Sequence, residues 1–152
     1  MILDANLEFS DAQAVTATAI STNVVDLGPV TDNVTRDIGT GEPTYLVLSV
    51  DTTFTAAGAA TLVAALVSDS TANLATSPTT HATPLNAIPV ASLVAGYTAA
   101  VHLPPGNYEQ YLGIQYTVAT GPMTAGKINA FITKDAQLYR AYADRQPIAA
   151  NA

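Results

Sequence analysis

Two stretches decide the fold of this chain: Tyr111-Leu112-Gly113-Ile114-Gln115-Tyr116-Thr117-Val118 and Lys127-Ile128-Asn129-Ala130-Phe131-Ile132-Thr133. In both stretches, the even-numbered residues are mostly large and apolar, and they alternate with smaller or more polar neighbours. Because successive side chains of a strand point to opposite faces of a sheet, this period of two predicts half-buried β-strands. The eight residues between the two stretches include Gly121, Pro122 and Gly126, so we expect the strands to form a hairpin.

Further β-type runs are separated by Gly, Pro, Asn and Asp, and they predict strands at residues 13–25, 45–50, 61–68, 90–94 and 97–103. The alanines of residues 61–68 also permit a helix. Residues 51–58 are expected to turn the chain. Three prolines confine residues 74–89 to a sheet edge or an irregular connection. Short strands at turn-delimited intervals predict an all-β protein, a jelly-roll β-sandwich.

The chain divides into an N-terminal arm at residues 1–11, a sandwich domain at residues 12–134 and a C-terminal tail at residues 135–152. The arm presents apolar side chains without a partner inside the segment, namely Ile2, Leu3, Leu7 and Phe9. The tail contains Tyr139, Arg140 and Tyr142, and Tyr and Arg are enriched at interface hot spots. The termini are therefore predicted to dock on a partner, the alternative being a tail folded on its own sandwich.

The composition argues against catalysis and against several ligand classes. Charged residues make up 11% of the chain, against about 25% in an average domain, whereas 49 of its 152 residues are Ala or Thr. There is no Cys, and the two histidines have no metal-ligand spacing, so we expect no metal, no cofactor and no enzymatic activity. Five basic residues against a net charge of −7 disfavour nucleic-acid binding.

The sequence predicts neither a membrane span nor a secretory signal. No run reaches the about 18 consecutive apolar residues that a membrane span needs. The first residues lack the basic region of a secretory signal, so we expect a protein made in the cytoplasm.

Charge is unevenly placed: residues 1–51 hold eight acidic residues and one basic residue, Arg36, whereas residues 127–152 hold four basic and two acidic residues. This asymmetry suggests charge-complementary contact between chains or with a partner.

One segment matches part of a known nucleotide-binding motif. Gly121-Pro122-Met123-Thr124-Ala125-Gly126-Lys127 matches the first seven positions of a phosphate-binding P-loop. Ile128 then replaces the Ser or Thr whose hydroxyl binds Mg²⁺, and the following residues have a strand pattern. Without a helix N-terminus to hold phosphates, the glycines are better explained by a loop.

Several runs carry a family resemblance. They are Arg36-Asp37-Ile38-Gly39-Thr40-Gly41-Glu42-Pro43, Phe54-Thr55-Ala56-Ala57-Gly58-Ala59-Ala60-Thr61-Leu62, the stretch from Tyr111 to Gly126, and Asp135-Ala136-Gln137-Leu138-Tyr139-Arg140. Together they resemble the jelly-roll capsid cement proteins of tailed bacteriophages, most closely the Bordetella phage type. The resemblance extends from the N-terminus to about residue 144.

The resemblance implies a decoration protein on the outer face of an icosahedral head, bound across major capsid subunits of the HK97-like fold and paired with a second copy. Its location would be the virion surface. The hypothetical interface residues are Ile2, Leu3, Leu7, Phe9, Arg36, Tyr139, Arg140 and Tyr142. An alternative is a receptor- or glycan-binding jelly-roll module of a phage or bacterial surface, which would require aromatic side chains clustered in exposed loops. A sandwich enzyme, the third reading, has no catalytic constellation to support it.

Overall fold

Two antiparallel β-sheets form the computed structural model, which describes residues 4–29 and 41–136. The first sheet contains, in spatial order, β1 (Glu8–Ala14), β9 (Met123–Thr133), β4 (Tyr45–Ala56) and β7 (Thr98–His102). The second contains β2 (Ala19–Ile20), β8 (Tyr111–Ala119), β5 (Thr61–Asp69) and β6 (Thr79–Pro89), and β3 (Val25–Asp26) also pairs with β8. There are two short 3₁₀ helices: η1 (Ala5–Leu7) precedes β1, and η2 (Val90–Ser92) lies between β6 and β7.

The strand order is that of a jelly roll. The chain passes between the sheets repeatedly: β1, β4, β7 and β9 form one sheet, and the intervening strands form the other. This wrapping places the first and last strands side by side, because β1 pairs with β9. The prediction of an all-β, jelly-roll-like sandwich is confirmed.

The core lies between the two sheets and follows from the alternation along each strand. In β8, Leu112, Ile114 and Tyr116 point inward and are fully buried, and in β9 Ile128 and Ala130 do the same from the opposite sheet. The strands β4 and β5 add the central residues Leu46, Leu48, Val50, Leu62, Ala64 and Leu66. Fully burying one such Leu or Ile side chain contributes about 1.5–3 kcal/mol, so these positions dominate the stability of the sandwich.

The predicted hairpin between the two opening stretches is wrong. Both stretches are strands, β8 and β9, but β8 pairs with β5 in one sheet, whereas β9 pairs with β4 and β1 in the other. Residues 120–122 therefore carry the chain across the sandwich. Alternation identifies the buried face of a strand, but it contains no information on which strand lies beside it.

Three other predictions, of two strands and one turn, need correction. Residues 13–25 do not form one strand, since the end of β1 and the short strands β2 and β3 divide this segment. Residues 51–58 do not all turn, because β4 continues to Ala56 with an irregular register after Val50. Residues 90–94 form the 3₁₀ helix η2 and its end instead of a strand, with Leu93 fully buried as its anchor.

Other expectations hold. The strand predicted at residues 61–68 is β5, so the helical alternative is wrong. The proline-bearing segment supplies β6, which pairs only with β5 and therefore lies at the edge of its sheet. An edge position tolerates Pro84, because one side of the strand makes no ladder hydrogen bonds.

The predicted boundary between arm and sandwich falls inside a strand. Residues 8–11 belong to β1, whose Glu8 pairs with Phe131 of β9, so the sandwich begins at Glu8 and not at residue 12. Phe9 is fully buried in the core. Of the predicted tail, the structure describes only Asp135 and Ala136, and the rest lies outside the described residues.

Candidate functional site

Charge is segregated between the two ends of the sandwich. We define the charged end as the end where β1, β4 and β8 begin and where β5 and β9 finish. It carries most of the exposed or half-exposed carboxylates of the described residues, namely Asp4, Glu8, Asp26, Glu42, Glu109 and Asp135. Within residues 4–29 and 41–136, Lys134 forms an ion pair with Glu42, and no Lys or Arg of those ranges pairs with Asp4, Glu8 or Asp26.

The opposite end, which we call the neutral end, consists of residues 15–18, 57–60, 90–97 and 119–122. These four segments contain no Asp, Glu, Lys, Arg or His. Backbone hydrogen bonds hold them together, including Val90 N–H to the Ala60 carbonyl at 2.9 Å and Met123 N–H to the Thr16 carbonyl at 3.0 Å. Val94, 49% exposed, is the one large hydrophobic side chain exposed in the described part of the chain. The described surface thus offers no broad apolar patch.

An apolar cleft opens at the charged end between the two sheets. Its volume is about 230 Å³, and its floor consists of the buried side chains of Leu112 from β8 and Ile132 from β9. Leu7, Val25 and Leu27 form its walls, and Thr44, Thr133 and Lys134 complete the lining. Since Leu7, Val25 and Leu27 are only partly buried, the hydrophobic core is reachable from solvent here.

A second, polar cleft of about 490 Å³ adjoins the first and shares Val25 with it. Its lining includes Glu8, Asp26, Asn6 and Asn23. Asp26 Oδ1 accepts hydrogen bonds from Gly28 N–H at 2.7 Å and Gln110 Nε2 at 3.2 Å, which orient its carboxylate. The charged end therefore combines an apolar cleft, which we call the well, with an acidic polar cleft, which we call the shelf.

The predicted interface residues fall into three groups. Leu7 lines the apolar cleft. Phe9 cannot dock on a partner, because its side chain is fully buried inside the protein's own core. The remaining candidates lie outside the described residues: Ile2, Leu3, Arg36, Tyr139, Arg140 and Tyr142.

A serine–histidine contact on the same end resembles part of a catalytic triad. Ser68 Oγ lies 2.7 Å from His81 Nε2, and the His81 ring stacks on Tyr108 with ring centroids 4.0 Å apart. Ser68 is fully buried and also accepts a hydrogen bond from Glu109 N–H at 3.1 Å, while Thr79 donates its hydroxyl hydrogen to the Glu109 carboxylate. A hydroxyl enclosed in this way cannot reach a substrate. The contact instead has a structural role, because it joins β5, β6 and the loop before β8.

Burial lowers the pKa of His81 below its usual value. Loss of hydration disfavours the charged imidazolium, and the nearby Glu109 carboxylate opposes this effect without overcoming it. The sequence shows no metal-ligand spacing for the two histidines and predicts a sheet edge or an irregular connection for residues 74–89, which include His81. The structure places it in an edge strand next to a serine thirteen residues earlier.

Asp69 organises the loop that follows β5. Burial disfavours its charge, but hydrogen bonds from Thr76 N–H at 2.7 Å, Thr71 N–H at 3.3 Å and the Ser70 hydroxyl hold its pKa below the usual value. The loop then inserts Leu74, which packs on the outer side of the second sheet over Gly113. This carboxylate is structural, because its oxygens are used by its own loop.

The P-loop match has no phosphate site behind it. Met123 to Thr133 form β9, so no helix follows the glycines, in agreement with the sequence argument. Gly126 lies under the Phe54 ring, and a Cβ atom there would clash with that ring.

In residues 4–29 and 41–136 no group of three or more His, Cys, Asp or Glu side chains is placed to hold a metal ion. No helix in that part of the chain is long and apolar enough to cross a membrane.

A family model described as Bbp16 matches residues 9–132, which is the sandwich from the second residue of β1 to the penultimate residue of β9. The chain belongs to the Bbp16 family. The name points to a Bordetella phage protein, so this Bbp16 chain is of bacteriophage type. No curated protein matches it.

The Bbp16 match has a clear relation to the site. It covers the side chains that build the floor of the apolar cleft, Leu112 and Ile132, and two of its walls, Val25 and Leu27. Leu7 and the predicted tail residues lie beyond the matched range. Sequence reasoning missed the cleft, because its lining comes from five separated parts of the chain, and no local pattern joins them.

Proposed function

We propose that the chain is a non-enzymatic capsid decoration protein that binds the outer face of a phage head and stabilises contacts between major capsid subunits of the HK97-like fold. The observation that carries the proposal is the Bbp16 match across the whole sandwich, which makes the chain phage-type. The runs that resemble phage cement proteins lie mostly within the same sandwich.

The physics of such a role requires only binding. A protein that binds the assembled lattice and not the free subunits stabilises the lattice by mass action, with no chemical step. The chain's polar chemistry is consistent with this, because its serine–histidine contact is enclosed and its buried carboxylate serves its own loop. We therefore infer no enzymatic activity.

The proposed partners are those that the resemblance to phage cement proteins implies. The proposed partners are the major capsid protein and a second copy of this chain, and the proposed location is the outer surface of the virion after synthesis in the host cytoplasm. The acidic surface repels the phosphates of nucleic acid and the anionic headgroups of a membrane, so neither is proposed as a partner. Light scattering at tens of micromolar tests the dimer, and a pure monomer there would contradict it.

The receptor- or glycan-binding alternative gains no support from the described loops. Such modules hold sugars or receptors on exposed aromatic rings, whereas Val94 is the one large hydrophobic side chain exposed in residues 4–29 and 41–136. The aromatic residues of those ranges are buried or half-buried.

The decisive experiment is cosedimentation of the purified protein with undecorated heads. We expect saturable binding with a fixed number of copies per capsid subunit, and decorated heads that resist heat or chelation better than bare heads. Already decorated heads are the matched control, since their sites are filled. Absence of binding at protein concentrations of tens of micromolar would exclude the decoration role.

A further inference from the structure

The apolar cleft at the charged end is an opening into the hydrophobic core. Its floor is formed by side chains that are buried within the core, Leu112 and Ile132, and its volume of about 230 Å³ is several times the roughly 30 Å³ that one liquid water occupies. Water in such a well has few polar partners, so replacing it with an apolar side chain is favourable. The well has room for one large side chain.

The acidic shelf beside the well determines which charge the residues next to the inserted apolar side chain should have. Asp4, Glu8 and Asp26 lie at or beside the shelf, and no lysine nitrogen in the described part of the chain pairs with them. Lys134, on the opposite rim, already pairs with Glu42. An incoming acidic segment would be repelled, whereas a basic segment would be attracted and would neutralise the shelf.

We propose that the well and the shelf form one docking groove for a protein segment that presents a large apolar side chain directly beside Lys or Arg. This rests on the proposed function, in which the segment belongs to the capsid shell. Apolar contact in the well supplies affinity, and the carboxylates on the rim supply orientation and association rate. The neutral end, without charges, then faces away from the contact.

Two variants of the full chain test the groove. In Glu8→Gln with Asp26→Asn, the carboxylates lose their charge, but the amide oxygen at position 26 can still accept the bonds from Gly28 and Gln110. In Leu27→Asp, a carboxylate enters the apolar wall. The matched controls are Asp11→Asn with Asp51→Asn, away from the groove, and Val94→Asp at the neutral end. Thermal melting verifies that each variant folds.

The first measurement needs no heads. The probe is the peptide acetyl-Trp-Lys-Arg-amide, titrated into isotope-labelled protein while backbone amide resonances are recorded by NMR, with acetyl-Trp-Glu-Glu-amide as the opposite-charge control. We expect shifts confined to residues around the groove, for the basic peptide only, and their loss in both groove variants. Shifts that are absent, scattered or centred on the neutral end would overturn the proposal.

The second measurement uses undecorated heads. We expect the Glu8→Gln/Asp26→Asn variant to bind about tenfold more weakly, whereas both controls bind like the unaltered protein. If the peptide occupies the groove but heads bind all variants equally, the shell is not the partner, and the proposal is overturned while the decoration role stands. If heads fail to bind even the unaltered protein, the decoration role fails, and the peptide titration still decides the chemistry of the groove.

One competing occupant is the chain's own C-terminal segment. The full-chain variant Tyr139→Ala with Tyr142→Ala separates the two cases. If this variant alone, without peptide, shifts the amide resonances of the groove, the segment fills the well itself and a partner is excluded. Unchanged groove resonances support the partner assignment.

Discussion

The phenol of Tyr116 lies 2.9 Å from the hydroxyl oxygen of Ser10, inside the sandwich, and so joins the two sheets across the core. Ser10 donates its own hydrogen to Gln13 Oε1 at 2.6 Å, so Tyr116 is the donor in the inter-sheet bond. Burial raises the pKa of Tyr116, and the bond to Ser10 lowers it only in part, so the donor proton is retained at every physiological pH. Gln13 extends the network to β2 through the Ile20 carbonyl.

Tyr116→Phe should lower the free energy of unfolding by about 1–2 kcal/mol, because it removes one buried hydrogen bond and keeps the ring. Urea denaturation measures the change. Ser10→Ala and the double variant complete a thermodynamic cycle, in which a coupling near zero would show that the two hydroxyls do not interact.

Phe9→Ala should destabilise the fold by about 3–5 kcal/mol, since it empties a fully buried site of the core. The sequence-based hypothesis, in which Phe9 docks on a partner, predicts instead a folded protein that binds heads weakly. Chemical denaturation separates the outcomes, with Leu7→Ala as the half-buried control. A Phe9→Ala variant of unaltered stability would contradict the structure.

Gly126→Ala should lower the free energy of unfolding by about 3 kcal/mol, because a Cβ atom there would clash with the Phe54 ring and the backbone has φ of +142°. Gly58→Ala is the control, since nothing lies within 4 Å of its added carbon and its φ is ordinary. Melting temperatures compare the two. Equal stability of the two variants would mean that Phe54 moves aside without cost.

The fold class was predictable from the sequence because alternation and turn residues are local signals. They located both ends of β5 and β8 and the end of β9 to within one residue. The start of β9, at Met123, lies four residues before the predicted start at Lys127. The pairing partner is not a local property, and so the β8–β9 hairpin was predicted wrongly. The apolar run from Val90 to Val94 has the composition of a strand. It instead forms a 3₁₀ turn that places only Leu93 fully inside the core and pairs with no neighbouring strand.

The candidate site was predictable only in outline. The sequence indicated acidic residues near the N-terminus and a chain nearly without catalytic groups, and both features persist in the charged end and the enclosed Ser68–His81 contact. It could not indicate the well between Leu112 and Ile132, since these residues read as ordinary core positions of their strands. An opening in the core arises from how the ends of the two sheets are covered, which depends on packing across the whole domain.

The protein should lose stability when the pH falls from about 7 to about 5. Because the folded-state pKa of His81 lies below its usual 6.5, the unfolded chain binds a proton first, and acidification favours unfolding until the folded pKa is passed. His81→Gln keeps an acceptor or donor for Ser68 and does not titrate, so it should flatten the pH dependence in this range. Melting temperatures across the range provide the measurement, and an unchanged slope in the variant would assign the effect to other groups.

Attachment to heads should weaken as salt rises. The carboxylates at the charged end attract a basic partner through screened Coulomb forces, and the screening length shrinks from about 10 Å at 0.1 M to about 3 Å at 1 M salt. The bound fraction in cosedimentation should therefore fall over that range, and it should fall less steeply for Glu8→Gln with Asp26→Asn, because two of the charges responsible are gone. The Val94→Asp control should keep the slope of the unaltered protein, since its new charge lies at the opposite end. Binding that is equally strong at both salt concentrations would mean that apolar contact in the well, or strand pairing at a sheet edge, holds the protein on the shell without help from charge.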